Sequence, residues 1–110
     1  MVEGIYGVAG ENYMKNKGKI YAVDLDGNLC STAWTKEQAL TATPNKKRIK
    51  KLYEYFQTGM VIIYTARRDS LITPTLQWLK RNYVPYHAIS NIKMPADVYV
   101  DTKDKFASLD

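Results

Sequence analysis

Short apolar runs along the chain alternate with amphipathic stretches. The run at residues 19–25 ends abruptly in acid, and apolar residues at consecutive positions are typical of a strand buried on both faces. A second run at 60–65 and shorter ones at 86–90 and 97–101 predict three more strands. Residues 27–42, rich in Thr and Ser, predict a loop or a small hairpin.

A first helix is predicted between the first two strands. Thr43-Pro44 is a good helix start, with Thr as the N-cap and Pro at the first helical position. Gly59 is expected to cap the end. One apolar stripe follows the start at helical spacing, and it consists of Ile49, Leu52, Tyr53 and Phe56.

A second helix is predicted after the second strand. Asp69 or Ser70 can cap it, because Pro74 is tolerated only in a first turn. Val84-Pro85 stops it, and residues 102–110 predict a short terminal helix. The inner face of the second helix is expected to consist of Leu76, Leu79 and Tyr83.

The resulting order, β-α-β-α-β-β, predicts an α/β fold with right-handed crossovers. We expect a single Rossmann-like, three-layer domain with a mainly parallel sheet over residues 19–110. Residues 1–18 show no clear period and are broken by glycines, so they are interpreted as an N-terminal arm. The arm is either a loose segment or a contact between the subunits of an oligomer.

Composition narrows the class of protein. A chain of 110 residues has room for one compact domain. An uninterrupted apolar stretch of membrane-spanning length does not occur, and neither does a secretory signal pattern. The single cysteine, Cys30, cannot form an internal disulfide, so a reducing, cytoplasmic setting is the simplest expectation.

The charge balance favours an anionic partner. The chain has 16 Lys and Arg against 11 Asp and Glu, a net charge of +5. Phosphorylated small molecules, nucleic acids and acidic surfaces all fit that balance. The cluster of basic residues at 46–51 is most simply the solvated face of a helix. The more specific alternative is a patch that binds nucleic acid.

Polar residues follow three of the four predicted strands. They are Asp24 and Asp26 after the first, Thr65 after the second and Asp101 after the last, and Lys93 precedes the last strand. Ligands of open α/β sheets bind at the carboxyl ends of the strands. Carboxylates beside a hydroxyl and a cation predict a Mg²⁺ site next to a phosphate site.

These residues resemble the motifs of the haloacid dehalogenase (HAD) superfamily. Val23-Asp24-Leu25-Asp26-Gly27-Asn28 looks like its first motif, an Asp-x-Asp-Gly-Thr pattern, with Asn in place of Thr. Ile62-Ile63-Tyr64-Thr65 is similar to the second motif and Val98-Tyr99-Val100-Asp101 to the acidic fourth. Lys93 stands where the third-motif lysine could fall. The chain most resembles small capless members assigned as phosphatases of capsule or polysaccharide biosynthesis.

The resemblance implies roles for individual residues. Asp24 would be the nucleophile and Asp26 the acid/base, with Thr65 and Lys93 completing the catalytic set. Thr102 stands at the common second acid of the fourth motif, and Asp104 could replace that acid. Substrate contacts are expected from Gly27 and Asn28, and metal ligands from Asp24, Asp26 and Asp101. Arg67 directly follows Thr65 and is suited to bidentate phosphate contact, so it is a further substrate candidate; the alternative is a surface pair with Arg68 at a helix start. His87 and Cys30 are interpreted as structural.

The function predicted from these residues is a Mg²⁺-dependent phosphomonoester hydrolase that works through an aspartyl-phosphate. The substrate is expected to be a sugar phosphate or another small metabolite, with a nucleotide or a polynucleotide end as the less favoured choice. Since no cap domain fits in the spacing, residues 27–42, the arm or another subunit of a homo-oligomer is expected to cover the site. The alternative is a monomer that accepts a large substrate, such as a nucleic-acid end, which covers the site itself. The alternative is a non-catalytic module on the same fold that binds anions or nucleic acid.

Overall fold

A four-stranded sheet forms the centre of the molecule. The computed structural model describes residues 18–92, 95–101 and 109. All three strand pairings in the sheet are parallel, and the spatial order is β3-β2-β1-β4. This confirms the α/β class and the parallel sheet. The strands are β1 (Ile20–Asp24), β2 (Met60–Tyr64), β3 (Ala88–Ser90) and β4 (Val98–Val100).

Three α-helices accompany the sheet in the described part of the chain. They are α1 (Lys36–Thr41), α2 (Lys46–Thr58) and α3 (Ile72–Arg81), and a 3₁₀ turn at Asp69–Leu71 leads into α3. Helix α1 was not expected, because residues 27–42 were predicted to be a loop or hairpin. The Thr35 hydroxyl accepts from the Gln38 amide at 3.1 Å, and the Gln38 side chain accepts from the Thr35 amide at 3.2 Å. This capping box stabilises the short helix.

Helix α2 begins two residues later than predicted. Its N-cap is Asn45, whose side chain accepts from the Arg48 amide at 3.0 Å, so the prediction of Thr43 as cap was wrong. Gly59 does cap the end, and its N–H donates to the Tyr55 carbonyl at 2.9 Å. Glycine is required there by close approach, because a Cβ would lie 2.2 Å from the carbonyl oxygen of Lys19.

Helix α3 also differs from the prediction at both ends. Neither Asp69 nor Ser70 caps it, since the 3₁₀ turn supplies the entry instead. Tyr83 is not on the inner face: it follows the helix with a φ of 54° and is 79% exposed. Trp78 is buried in its place, and its indole N–H donates to the Ala42 carbonyl at 2.7 Å. A bulky ring that also satisfies a loop carbonyl fits the core better.

The core lies between one face of the sheet and helices α2 and α3. Strand residues contribute Val23, Val61, Ile63 and Val100, and the helices contribute Ile49, Leu52, Trp78 and Leu79. A smaller apolar cluster on the other face consists of Met60, Ile62, Ala88 and Ile20. The described residues thus supply a sheet and one helix layer. The third predicted layer would have to come from outside them.

Several predictions fall outside the described residues. These are the arm at 1–18 apart from Gly18, the terminal helix at 102–110 apart from Leu109, and the residues Lys93 and Asp104. In the part of the chain that is described, no helix has the length and apolar character needed to span a bilayer.

His87 has a structural role, as the sequence predicted. Its backbone N–H donates to the Val61 carbonyl at 2.8 Å, and its Nδ1 accepts from the Val61 amide at 3.0 Å. The ring stacks on Phe56 with centroids 4.3 Å apart. Burial lowers the pKa of His87 from its ordinary value of 6.5. The imidazole is therefore neutral in the fold, with Nδ1 unprotonated.

Acidification should destabilise the protein through His87. Its folded pKa lies below the unfolded one, so the stabilisation is complete above pH 6.5 and is lost as the pH falls toward the folded pKa. The loss is at most about 1.4 kcal/mol per pH unit for one proton. Urea midpoints measured from about pH 7.5 to 5 should fall in the wild type. Since His87 is the only histidine, a His87→Asn variant should show a flat profile over that range, and an equally steep one would contradict the assignment.

Candidate active site

The loop and strand ends at the carboxyl edge of β1, β2 and β4 form the candidate site. Val23 pairs with Val100, so Asp24 and Asp101 follow at neighbouring strand ends. Asp24 pairs with Tyr64, the last residue of β2, and Thr65 is the next residue in the chain. The parallel register therefore brings together the acidic and hydroxyl residues that the sequence placed after three different strands, and Asp24 and Asp101 are both half-buried.

A tight turn carries the chain out of β1. The Leu25 carbonyl accepts from the Leu29 amide at 2.9 Å, and the Gly27 amide donates to the Cys30 carbonyl at 2.8 Å. Gly27 has a φ of +76°, a region that other residues enter with strain. A Cβ at Gly27 would meet nothing within 4 Å, so the glycine is required by conformation and not by crowding.

Asn28 ties β1 to β4. Its side chain is 1% exposed, and Nδ2 donates to the Asp24 carbonyl at 2.8 Å and to the Val100 carbonyl at 3.4 Å. The departure from the usual Thr thus has a structural consequence, since an amide donates two hydrogen bonds and a hydroxyl donates one. The buried Oδ1 of Asn28 has no hydrogen-bond partner among the described residues, so within that part of the chain an oxygen acceptor beside the strand ends is unsatisfied.

Asp26 is paired with a buried arginine. The Arg67 Nη2 lies 2.7 Å from Oδ1 of Asp26, and Nε lies 3.1 Å from each of the two carboxylate oxygens. The Arg67 side chain is 2% exposed and that of Asp26 is 22% exposed. The Ala33 amide and the Thr65 hydroxyl also donate to Asp26, at 3.1 and 3.3 Å. The carboxylate accepts in every one of these contacts.

Arg67 is held from several sides. Its Nη1 donates to the Thr75 hydroxyl at 2.9 Å, and its Nη2 donates to the Cys30 sulfur at 3.5 Å. Its amide donates to the Thr65 hydroxyl at 3.1 Å. These contacts hold the buried guanidinium against the Asp26 carboxylate, and the guanidinium thereby orients that carboxylate. Direct contact between Arg67 and a substrate stays a prediction, as does phosphoryl contact from Thr65, which is 1% exposed.

Cys30 is buried in this network. Burial raises the pKa of its thiol to about 11, against the smaller, opposite influence of Arg67. A thiol with so high a pKa carries little thiolate near neutral pH and is a poor nucleophile. The burial of Cys30 and its contacts with Leu25 and Arg67 support the structural interpretation.

Sequence reasoning missed three polar side chains around the site. Arg48 donates to the carbonyls of Gly27 and Asn28 at 3.4 and 3.2 Å and so fixes the turn from helix α2. Thr75 holds Arg67, as described above. Asn91 donates to the Arg67 carbonyl at 3.4 Å and to the Asp69 carboxylate at 2.6 Å. Asn91 follows the third strand, so the strand-end pattern could have found it.

The metal prediction is only partly matched by the donors present. Across residues 18–92, 95–101 and 109, no three His, Cys, Asp or Glu side chains are grouped as a metal site. The Asp26 carboxylate is bonded to Arg67. Asp24 and Asp101 stand at neighbouring strand ends. Those two carboxylates are hard oxygen donors, and Mg²⁺ takes one or two carboxylates plus a substrate phosphate. Asp24 and Asp101 are the residues that would hold such an ion, and its binding stays a prediction.

Comparisons with known proteins give information about the fold. No protein-family model matches the chain, and no curated protein matches it. Two solved structures are similar. "Structure of the Pnkp1/Rnl/Hen1 RNA repair complex" matches with a TM-score of 0.55 and 19% identity, over 81% of this chain and 28% of the other. "Structure of Pnkp1/Rnl/Hen1 complex" matches with a TM-score of 0.56 and 18% identity, over 96% and 34%.

At those identities the similarity shows the fold alone. The chain also spans no more than about a third of each neighbouring chain, 28% and 34%. What the neighbouring proteins assemble with or act on is therefore a property of those proteins.

Proposed function

We propose that this protein is a phosphomonoester hydrolase of the HAD type, with Asp24 as the nucleophile. The observation that carries the proposal is the pair Asp24 and Asp26 at the carboxyl end of the central strand, with the second carboxylate oriented by Arg67 through Nε and Nη2. A protein that only binds phosphate has no need of two acids facing an anion.

The first half of the reaction forms a covalent intermediate. A carboxylate oxygen of Asp24 attacks phosphorus, and the bond between phosphorus and the ester oxygen breaks. The leaving oxygen takes a proton from Asp26, which must therefore be in its acid form when substrate is bound.

The second half regenerates the enzyme. Asp26 is now a carboxylate, and it removes a proton from the water that attacks the phosphorus of the aspartyl-phosphate. Inorganic phosphate leaves and Asp24 is freed. Arg67, Thr65 and the Ala33 amide all donate to Asp26, so they fix the position of its carboxyl group for both proton transfers.

A divalent cation belongs to the proposal. Asp24 and Asp101 would hold it, and Mg²⁺ would offset the repulsion between carboxylates and the phosphate dianion. Lys93, the proposed further cation, lies outside the described residues.

Two substrate classes are proposed. The resemblance of the motifs favours a sugar phosphate or another small metabolite. The name of one neighbouring structure includes an RNA repair complex, which favours a polynucleotide end. Covering of the site by a second subunit also stays a proposal, motivated by Trp34, which is 80% exposed in the segment before α1.

Hydrolysis of an aryl phosphate with and without Mg²⁺ tests the proposed function. We expect turnover that is lost in excess EDTA and restored by Mg²⁺. Asp101→Ala should raise the Mg²⁺ concentration needed for half-maximal rate about tenfold or more, because one of two carboxylate ligands is lost. Glu54→Gln, at an exposed acid on α2, is the matched control. Full activity in EDTA refutes the metal; absence of turnover under all conditions favours the non-catalytic alternative.

A further inference from the structure

A groove runs along helix α2 and meets the turn that follows Asp26. Its outer part, about 390 Å³, lies between α2 and the end of α3. Its inner part, about 560 Å³, is lined by Gly27 and Asn28 and by the residues that precede α2. Pro44 and Lys46 line both parts, so the two parts are adjacent on the surface. We call the two parts together the basic groove.

The basic groove has cations along its length. Lys46 and Lys50 lie on one face of α2 at a spacing of four residues, and Arg81 lines the opposite wall at the end of α3. Arg81 is held there by donating to the Leu40 carbonyl at 2.9 Å. Arg48 lines the inner part. Asp and Glu do not occur among the described residues that line either part, so the groove presents a field of one sign.

Two exposed aromatic rings stand at the outer end. Tyr53 is 42% exposed and Tyr83 is 79% exposed. The Tyr53 hydroxyl donates to the Tyr83 carbonyl at 2.7 Å, which fixes one residue against the other. Tyr83 also has a φ of 54°, an uncommon conformation for a bulky residue. The rings are thus presented to solvent by a defined turn.

We infer that the basic groove binds a single-stranded polynucleotide whose phosphorylated end reaches Asp24. A row of cations that tracks a backbone, together with aromatic rings for base stacking, is the arrangement that binds single strands without sequence preference. Helix α2 rises about 10 Å between Lys46 and Tyr53, which is longer than a single phosphate group. The placement of the end at Asp24 rests on the proposed function, but binding along the groove does not.

The experiment measures binding of a fluorescein-labelled oligouridylate of about 12 nucleotides to the full chain by anisotropy. Asp24→Asn serves as the background, so that the strand is not consumed. Lys46→Ala/Lys50→Ala should weaken binding about tenfold or more and lower the slope of log K against log salt by about 1.4, the value for two lost phosphate contacts on a single strand. Tyr83→Asn, which tolerates a positive φ, should weaken binding about fivefold or more.

The matched control is Lys47→Ala/Lys51→Ala. It removes the same charge from the same helix, and neither lysine lines the basic groove; Lys51 instead pairs with Glu54 at 3.3 Å. We expect less than a threefold loss. Equal losses in the two double variants overturn the inference, because net charge alone would then explain the binding. Heparin binding as tight as the oligonucleotide, with no effect of Tyr83→Asn, overturns it in favour of a general polyanion surface.

The two proposals fail separately. Weakened oligonucleotide binding in the groove variants, combined with aryl phosphate hydrolysis that survives Asp24→Asn, supports the groove and refutes the proposed function. Wild-type binding in the groove variants, combined with a hydrolysis that requires Asp24, refutes the groove and leaves a phosphatase for another substrate. Circular dichroism of each variant confirms that it is folded; the lysines are exposed, so their loss should not disturb the core.

Discussion

Replacing Asp24 with Asn is expected to lower aryl phosphate hydrolysis by about 10³-fold or more. The amide is nearly the same size as the carboxylate but is a poor nucleophile, so the aspartyl-phosphate does not form. The backbone carbonyl of Asp24, which accepts from Asn28, is unchanged by the substitution. We therefore expect the fold to persist while the chemistry stops.

The measurement is steady-state hydrolysis by purified protein, with thermal unfolding as the check on folding. Glu54→Gln again serves as a control, since it removes an acid that contacts only an exposed lysine in the described interactions. A second readout is covalent: brief exposure to labelled substrate followed by acid quenching should trap phosphate on the wild type and not on Asp24→Asn. Near-wild-type turnover by the variant removes Asp24 from the mechanism.

Breaking the pair between Asp26 and Arg67 should have the largest effect on stability, and the effect should be asymmetric. Asp26→Leu leaves the guanidinium of Arg67, whose side chain is 2% exposed, without its carboxylate. This should lower the free energy of unfolding by about 3–5 kcal/mol. Arg67→Met leaves Asp26, which is 22% exposed and keeps the Ala33 amide, so water can replace part of what is lost. The second variant should be destabilised less.

Urea unfolding of both single variants and of the double variant measures this. The double variant should be more stable than the sum of the single losses predicts, because neither charge is then left unpaired. If Asp26→Leu does not fold, Asp26→Asn gives the milder form of the same test, since its Oδ1 can still accept from Arg67. Equal small losses in both single variants, adding without coupling, would contradict a buried pair.

The asymmetry also affects how activity is interpreted. Inactive Asp26 variants could be unfolded and not merely deprived of a proton donor and acceptor. Rates should therefore be referred to the folded fraction, and the dephosphorylation step should be followed separately on an activated leaving group, which needs no acid.

The strands could be predicted from the sequence because each is a short apolar run that ends in polar residues, and the strand-end rule then placed Asp24, Thr65 and Asp101 at one edge. Helix α1 was missed since six residues are too few to show an apolar stripe, although Thr35 and Gln38 carried the capping signal. Tyr83 was assigned to the core because its spacing continues the stripe of α3. The turn after Arg81 breaks that spacing.

The contacts inside the site could not be predicted in the same way. Arg67 reaches Asp26 across 41 positions of the chain, and Asn28 reaches Val100 across 72. Local pattern and propensity contain no information about such partners. The position of Arg67 directly after Thr65 predicted a substrate contact, and only the fold shows that its side chain is buried and bonded to Asp26.

The position of β1 inside the sheet has a consequence for the order of folding. This strand leaves the ribosome before the others described here, yet it lies between β2 and β4, and its pairing with Val98–Val100 closes a loop of most of the chain. Contacts of such long range form late, because the entropy of loop closure must be met first. Until then Asn28 has no Val100 carbonyl to bind, and Asp101 is absent from the edge beside Asp24. A chain still being synthesised therefore has its first motif long before it has a site.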